Sequence, residues 1–149
     1  MDFLDAVDRE IIRVMQRDGR ITMTGLAELV HLSQPAASAR LRKLEDAGYI
    51  SGYSARIDAA RAGLSTHAVI RLRTTHGQIA AALELFATLP AINRIYRVTG
   101  EDCFVLDAHT ATPEDLETLI DAVGRFGPVS TSLVLREYPA HPIAPKHDG

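Results

Sequence analysis

Apolar residues in the first fifty positions recur at helical spacing in three short segments separated by polar turns. The first predicted helix covers Leu4–Gln16, the second follows Thr22, and the third follows Ser33. Both Thr22 and Ser33 suit an N-cap position, where a hydroxyl accepts an unpaired amide proton of the first turn. The residues assigned to the buried stripes are Leu4, Val7, Ile11, Val14, Met15, Leu26, Leu29, Val30, Ala37, Leu41 and Leu44. This spacing predicts a helix-turn-helix.

The third predicted helix carries a narrow apolar stripe on one side and small, polar and basic residues on the other. Between His31 and Leu44 the chain has three basic residues and no acidic one. Pro35 falls in the first turn, where a helix tolerates the missing N–H. This pattern is what a helix in the DNA major groove needs, although an ordinary amphipathic surface helix has the same pattern. His31 lies in the connecting turn, where glycine is common, so we expect some backbone strain there.

The second half alternates between strand-like and helical patterns. Predicted strands cover His67–Thr74, Ile92–Val98, Cys103–His109 and Val129–Glu137, and predicted helices cover Gln78–Thr88 and the segment after Thr112. The apolar face of the first of these helices is assigned to Ile79, Ala82, Leu83 and Phe86. The order βαββαβ is that of a ferredoxin-like domain, an antiparallel sheet with both helices on one face. The other face is left bare, and its expected residues are Val69, Arg71, Arg73, Val105, Asp107 and Leu133. A bare face of that kind calls for a partner, most simply a second copy of the chain.

Between the two halves, the segment Tyr49–Ile57 is rich in β-forming residues and predicts a short wing or hinge strand. The predicted fold class is therefore α+β, with a winged helix-turn-helix and a ferredoxin-like regulatory domain. The predicted divisions are a helix-turn-helix domain at 1–52, a hinge strand and linker at 53–63, the ferredoxin-like domain at 64–138, and a flexible tail at 139–149.

Composition narrows the possible functions. The net charge of the 149 residues is −3, so any DNA binding must come from a local basic patch.

No apolar run reaches the roughly 20 residues of a membrane span, and the start of the sequence has no signal-peptide pattern. The single Cys103 excludes an internal disulfide and suits a reducing cytoplasm, which is the expected location. Six histidines are scattered along the chain without the spacing of a zinc site, so no metal site is predicted. No nucleophile elbow, phosphate loop or metal motif is present, and no catalytic residue is assigned.

Taken together, the two halves resemble the Lrp/AsnC (feast/famine) family of transcriptional regulators. The resemblance is carried by Leu4–Ile12, Gln16–Arg20, Leu32–Ser33, Arg40–Glu45, Gly48–Tyr53 and Val98–Asp102. It implies a helix-turn-helix joined by a hinge strand to a regulatory (RAM) domain that binds a small molecule. It also implies homodimers formed through the regulatory sheets, often assembled into tetramers or octamers, with an amino acid or a related metabolite as effector.

Double-stranded DNA is the expected partner of the first domain. The residues predicted to contact it are Thr22, Thr24, Ser33, Gln34, Pro35, Ser38, Ala39, Arg40, Arg42 and Lys43. Gln34, Ser38 and Arg42 are expected to face base edges of a pseudo-palindromic operator. Arg40 and Lys43 are expected to bind phosphates, although Arg40 can instead form a salt bridge to an acid of the first helix.

The effector is expected at the turn Thr99–Asp102 and the adjoining Cys103. Backbone amides at Gly100 can bind a carboxylate, and the acids Glu101 and Asp102 can bind an ammonium group. A polar turn without a ligand is the alternative. At Cys103 the family often has Asp, and here the thiol is expected to be a small packed residue, with redox or metal sensing as the alternative.

Two other functions stay open at this stage. A ferredoxin-like fold implies no chemistry by itself, so an enzyme is disfavoured rather than excluded. The chain can also be a ligand-binding oligomeric module that regulates a protein partner. No cofactor other than a small-molecule effector is expected, and no membrane.

Overall fold

The computed structural model describes residues 4–146, which form two compact units. One unit comprises residues 4–55 and 139–146, and the other comprises Arg56–Tyr138. Within the described residues, no helix is both long and apolar enough to cross a membrane.

The first unit contains the three predicted helices, with bounds α1 Ala6–Arg17, α2 Met23–Leu29 and α3 Gln34–Asp46. Asp5, predicted inside the first helix, is instead its N-cap and forms a reciprocal capping box with Asp8. The two predicted caps are confirmed: Gly25 N–H donates to Thr22 Oγ1 at 3.0 Å, and Ala36 N–H donates to Ser33 Oγ at 3.4 Å. Side chains therefore set where each helix begins.

The core of this unit contains residues of all three helices. Its buried members are Ile11, Ile12, Val14, Met15, Leu26, Ala27, Val30, Ala37, Leu41 and Leu44. Leu29 was assigned to this stripe, but it is 55% exposed because α2 packs through Leu26, Ala27 and Val30 instead. A helix of seven residues offers too few turns for a periodic pattern to define its buried side.

The strand predicted at Tyr49–Ile57 is not formed. No strand occurs anywhere in residues 4–65, all of which the structure describes, and residues 51–57 are exposed. A β-forming composition gives a strand only where a neighbouring strand supplies hydrogen bonds, and this segment has no such neighbour within the chain. Gly52, with φ of +154°, also interrupts it.

The second unit is an antiparallel four-stranded sheet with helices on one face. The strands are β1 Thr66–Leu72, β2 Ile92–Arg97, β3 Phe104–Thr110 and β4 Val129–Leu133, in the order β2-β3-β1-β4. The helices are α4 Ile79–Ala87, preceded by a 3₁₀ turn at His76–Gln78, and α5 Pro113–Gly124. Thr112 caps α5 through a capping box with Asp115, and Pro113 lies in the first turn of that helix. The predicted βαββαβ order and the ferredoxin-like topology are thus present.

Strand register separates a covered face from an open one. Alternate residues of β1 and β3 are buried under the helices, and the core consists of Ala68, Ile70, Leu72, Ala82, Phe86, Phe104, Leu106, Ala108, Leu116, Leu119 and Val123. The residues between them, including Val69, Val105 and Asp107, are half-buried on the open face. Leu133 was predicted on the open face, but it pairs with buried Ala68 and so belongs to the helix side, where the sheet edge leaves it 59% exposed. Leu83 of α4 was predicted to be buried and is 43% exposed.

The described part of the tail makes one paired contact. Gln16 donates to the carbonyl of Ile143 through Nε2 at 2.8 Å, and Ile143 N–H donates to Gln16 Oε1 at 2.8 Å. The flexibility expected of the tail stays a prediction, and its last residues lie outside the described range.

Gly127 lies so close to the backbone of Arg73 that a side chain at this position would collide with it. A Cβ atom at this position would lie 2.2 Å from the carbonyl oxygen of Arg73, and φ is +145°. We expect Gly127→Ala to lower the free energy of unfolding by about 2–4 kcal/mol, because backbone on both sides must shift. Gly77→Ala is the matched control, since a Cβ there meets nothing within 4 Å, and a change within about 0.5 kcal/mol is expected. Urea unfolding followed by circular dichroism measures both, and equal stability of the two variants would contradict the assigned close approach.

Candidate functional site

The two sides of α3 differ in exposure and in chemistry. Ala37, Leu41 and Leu44 are buried against the other helices. The residues on the opposite side are exposed, and they are Gln34, Pro35, Ser38, Ala39, Arg42 and Lys43. An open depression of about 760 Å³ follows this side and is lined by Pro35, Ser38, Ala39, Arg42, Lys43, Asp46 and Ala47. These predicted DNA-contact residues therefore lie together on one accessible surface.

The turn that leads into α3 is tight and strained. His31 has φ of +55° and is the one non-glycine residue with a positive φ among the described residues, as its position in the turn suggested. Leu32 N–H donates to the carbonyl of Ala27 at 3.0 Å, which fixes the direction of the chain after α2. The geometry is that of a helix-turn-helix, in which the second helix is presented at a set angle to the first.

The predicted hydroxyl contacts lie at helix starts. Thr22 and Ser33 accept hydrogen bonds from the first turns of α2 and α3, which leaves each hydroxyl proton able to donate to a phosphate. Thr24 is exposed in the first turn of α2. All three are in the same unit as the exposed side of α3.

Arg40 forms ion pairs with two carboxylates at the start of α1. Its guanidinium donates to Asp5 Oδ2 at 2.6 Å and to Asp8 Oδ1 at 2.7 Å, and the Asp8 side chain is only 10% exposed. The salt bridge to the first helix, offered above as the alternative to phosphate binding, is therefore present. The pKa of the Asp5 carboxyl is lowered, first by the Asp8 N–H and then by the Arg40 guanidinium. Arg40 fastens α3 to the start of α1, and its phosphate contact stays a prediction.

A hydrogen bond between Tyr53 and Glu45, which the sequence did not predict, holds the segment after α3. Tyr53 donates its hydroxyl to Glu45 Oε1 at 2.6 Å, and its ring lies 3.2 Å from the Cβ position of Gly19. Burial, followed by the Glu45 carboxylate, raises the pKa of Tyr53 to about 12. The segment after α3 is thereby held against the helix although it forms no strand. No spacing rule links Tyr53 to Glu45, so only the fold could reveal this contact.

The predicted effector residues form the connection between β2 and β3. Thr99, Gly100 and Glu101 are exposed, Asp102 and Cys103 are half-buried, and Gly100 has φ of +108°. Two arginines that the sequence of the loop does not reveal lie beside it. Arg73 donates to Glu101 Oε2 at 2.5 Å, and Arg97 donates to the carbonyl of Cys103 at 2.7 Å. The loop therefore offers groups of both charge signs.

Cys103 is held by the backbone of Thr74. Its Sγ donates to the Thr74 carbonyl at 3.0 Å and accepts from the Thr74 N–H at 3.4 Å. The pKa of the thiol is lowered, first by the Thr74 N–H and then by Arg97. The half-buried, hydrogen-bonded position agrees with a packed residue beside the loop.

A cluster of two histidines and one aspartate lies on the open face of the sheet. His67 on β1 and His109 on β3 are directly paired, and their rings stack with centroids 4.0 Å apart. His67 Nε2 lies 2.5 Å from Asp107 Oδ1, and His109 Nδ1 lies 2.7 Å from Asn93 Oδ1. Burial, followed by the neighbouring His67, lowers the pKa of His109. Spacing along the chain predicted no metal site, because this cluster is created by register between strands.

Comparison with known proteins identifies both units. Residues 4–51 match a family described as winged helix-turn-helix DNA-binding, and residues 67–143 match a family described as Lrp/AsnC ligand binding domain. The second match alone covers more than half of the chain.

Individual relatives agree over nearly the whole length. The chain is 37% identical over 140 residues to the uncharacterized HTH-type transcriptional regulator YezC of Bacillus subtilis (strain 168), covering 93% of this chain and 99% of YezC. The structure of B. subtilis LrpC superposes with a TM-score of 0.86 at 26% identity, covering 92% and 98% of the two chains. A transcriptional regulator from Neisseria meningitidis, solved in complex with L-methionine, superposes with a TM-score of 0.81 at 29% identity, covering 96% and 97%.

The ion pairs of Arg40 predict a stability difference between two arginines of α3. Arg40→Ala leaves the nearly buried Asp8 without its cation, and we expect the free energy of unfolding to fall by about 1–2 kcal/mol, given that Arg40 is partly exposed. Arg42→Ala, on the exposed side, is expected to change it by less than about 0.5 kcal/mol. The pKa of Asp5 is lowered in the folded state. The stabilisation contributed by ionised Asp5 is therefore complete above the ordinary pKa of 3.8, and it is lost as pH falls through the lowered pKa.

Urea unfolding of both variants at pH 7 and at acid pH measures these effects. Equal stability of Arg40→Ala and Arg42→Ala at pH 7 would show that the ion pairs do not fasten α3.

Proposed function

This chain belongs to the Lrp/AsnC family of helix-turn-helix transcriptional regulators, and from that membership we propose how it binds DNA, assembles and responds to an effector. It is a DNA-binding regulator of transcription rather than an enzyme. The observation that carries the proposed mode of binding is the exposed side of α3, where small residues and two basic side chains surround an open depression.

We assign α3 as the recognition helix in the major groove. Gln34 can form two hydrogen bonds to adenine, and Arg42 can form two to guanine. Ser38 and Ala39 are small enough to let the helix approach the base edges closely. Lys43 is placed to contact a phosphate, as are the hydroxyls of Thr22 and Thr24 at the start of α2.

We propose that the open face of the sheet binds a second copy of the chain. The face carries half-buried Val69 and Val105, and the chain leaving β4 exposes Leu135 and Tyr138. An isologous dimer would cover such a face and would relate two α3 helices by a twofold axis. Their half-sites would then lie about 34–36 Å apart, or a multiple of that, on a pseudo-palindromic operator. Larger assemblies of these dimers, tetramers or octamers, are part of the same proposal.

DNA selected from a random pool by the purified protein supplies the operator for a direct test. Arg42→Ala is expected to cost about 1–3 kcal/mol at one base position and to relax specificity there. Lys43→Ala is expected to weaken all sequences alike and to reduce the dependence of log affinity on log salt by about one unit per half-site. Titration of labelled duplexes at several salt concentrations measures both effects.

Arg125→Ala is the matched control, because it removes the same charge from an exposed position outside α3 and should leave affinity unchanged. Light scattering on each variant checks that the mass of the assembly is preserved. Operator binding that survives both α3 substitutions would exclude α3 as the recognition helix. A protein that shifts no duplex DNA would favour the alternative of a ligand-binding module with a protein partner.

For the effector we propose an α-amino acid bound at the loop between β2 and β3. The Gly100 amide can bind the carboxylate, and Asp102 can bind the ammonium group. Glu101 already contacts Arg73, so an incoming ammonium group must compete for it, whereas Arg73 and Arg97 add cations for the carboxylate side. The L-methionine complex of the Neisseria meningitidis relative supports this class of ligand. Such an effector would regulate by binding one arrangement of the assembly better than another.

Isothermal calorimetry with the common amino acids, beginning with L-methionine, tests the effector proposal. We expect saturable binding of at least one of them, weakened about 10- to 100-fold in Asp102→Asn through loss of a charge-assisted hydrogen bond. Glu114→Gln makes the same charge change in an exposed turn of α5 and should bind normally. No heat from any amino acid, or equal affinity in Asp102→Asn, would contradict the assigned pocket.

A further inference from the structure

The cluster of His67, Asp107 and His109 has the composition of a transition-metal site. Imidazole nitrogen and carboxylate oxygen are ligands that Zn²⁺ and similar divalent ions accept, and two histidines with one carboxylate leave a coordination position open. One ligand atom from each of the three side chains lies within 4.8 Å of the other two. From this juxtaposition we infer that the open face of the sheet binds a divalent transition-metal ion, one per chain.

Backbone register brings the ligands together with little freedom. His67 and His109 are directly opposite one another on neighbouring strands, and Asp107 is two positions before His109 on the same face of β3. Strands β1 and β3 are the two central strands of the sheet. The site therefore rests on two strands that are each hydrogen-bonded to a neighbour on both sides.

A hydrogen bond beside the cluster favours the histidine tautomer that a metal requires. The Asn93 Oδ1 atom can only accept, so a neutral His109 ring donates through Nδ1 and has its lone pair on Nε2. A ligating histidine in metalloproteins commonly donates its other N–H to a second group in this way. The His67 side chain is 23% exposed and Asp107 is 27% exposed, so an ion can reach both from solvent.

The stacked rings must tilt for the ion to enter. Tetrahedral zinc with metal–ligand distances of about 2.0–2.2 Å brings its ligand atoms to about 3.4 Å from one another. Ligand atoms as far apart as 4.8 Å would have to approach by about 1.4 Å, whereas His67 Nε2 and Asp107 Oδ1, which are 2.5 Å apart, would have to separate by about 0.9 Å as the ion replaces their direct contact. Arg94 is paired with Asp107 in register, and its guanidinium interacts with Tyr96 and also with Asp107, so its positive charge opposes binding of a cation. The carboxylate of Glu137, which interacts with His109 and raises its pKa, has the opposite charge to Arg94 and so favours a cation.

All three ligands come from one chain, so the inference does not depend on the proposed dimer. If a second copy covers this face, the ion lies within the interface, and the open coordination position becomes available to water or to a group of the partner.

The test uses untagged full-length protein, freed of metal by a chelator and titrated with Zn²⁺ in competition with a chromophoric chelator. We expect one Zn²⁺ per chain, and an affinity at least about 100-fold weaker in His67→Gln and in His109→Gln, since loss of a ligand should exceed the loss known for outer-shell partners. Asp107→Asn keeps the size of the side chain and is expected to weaken binding as well. Circular dichroism of each metal-free variant establishes that it is folded.

Two matched controls separate this site from other donors. His76→Gln removes an exposed histidine of the 3₁₀ turn, and Cys103→Ser removes the only thiol; both should bind Zn²⁺ as the wild type does. Co²⁺ should give d–d absorption without a thiolate charge-transfer band. Absence of stoichiometric binding, or binding that is weakened by a control and not by the cluster variants, would overturn the inference. Neither result would affect the proposed DNA contacts, which are measured on the other unit.

Discussion

The proposed DNA contacts depend on how α3 is held. Ala37, Leu41 and Leu44 bury one side of the helix, and Arg40 joins its edge to Asp5 and Asp8 at the start of α1. Burying three apolar side chains contributes several kcal/mol, so this packing far exceeds a partly exposed ion pair in free energy. Because the buried residues lie on one side only, the same packing fixes the rotation of α3 about its axis and leaves the opposite side exposed. The ion pairs add a second restraint at the edge of the helix, where Arg40 contacts two carboxylates.

The second unit obeys a different constraint, which is the period of two along a strand. Helices cover one face of the sheet, so every second residue of β1 and β3 enters the core, and the residues between them are left on the open face. A slip of one residue would exchange Ile70 and Leu106 with Arg71 and Asp107, which no folded state could accommodate. The same register places His67, Asp107 and His109 together. The register that builds the core therefore also brings the three cluster residues to one face.

Features whose chemistry lies within a few residues were the easiest to predict from sequence, whereas most specific contacts between distant residues were not. The caps at Thr22, Ser33 and Thr112 involve atoms within three residues, so their chemistry is visible in the sequence. The strand expected at Tyr49–Ile57 failed because pairing is not a local property. The effector loop could be located from its motif, but the fold brings to it Arg73, which directly follows β1, and Arg97 at the end of β2. The two-histidine cluster and the bond from Tyr53 to Glu45 needed the three-dimensional structure for the same reason.

The small positive charge on the exposed side of α3 bears on how the chain must assemble to bind DNA. The exposed side of α3 carries two basic residues, Arg42 and Lys43, and Asp46 adds a negative charge to the lining of the depression. Because sequence-independent affinity grows with the number of phosphates neutralised, a single α3 in a protein of net charge −3 would bind DNA weakly at physiological salt. In the proposed dimer, two copies joined by a twofold axis would double the phosphate contacts, and the second α3 would bind at a high effective concentration. The open face of the sheet and the modest charge of α3 thus favour the same arrangement, in which pairing of chains makes operator binding strong enough to be specific.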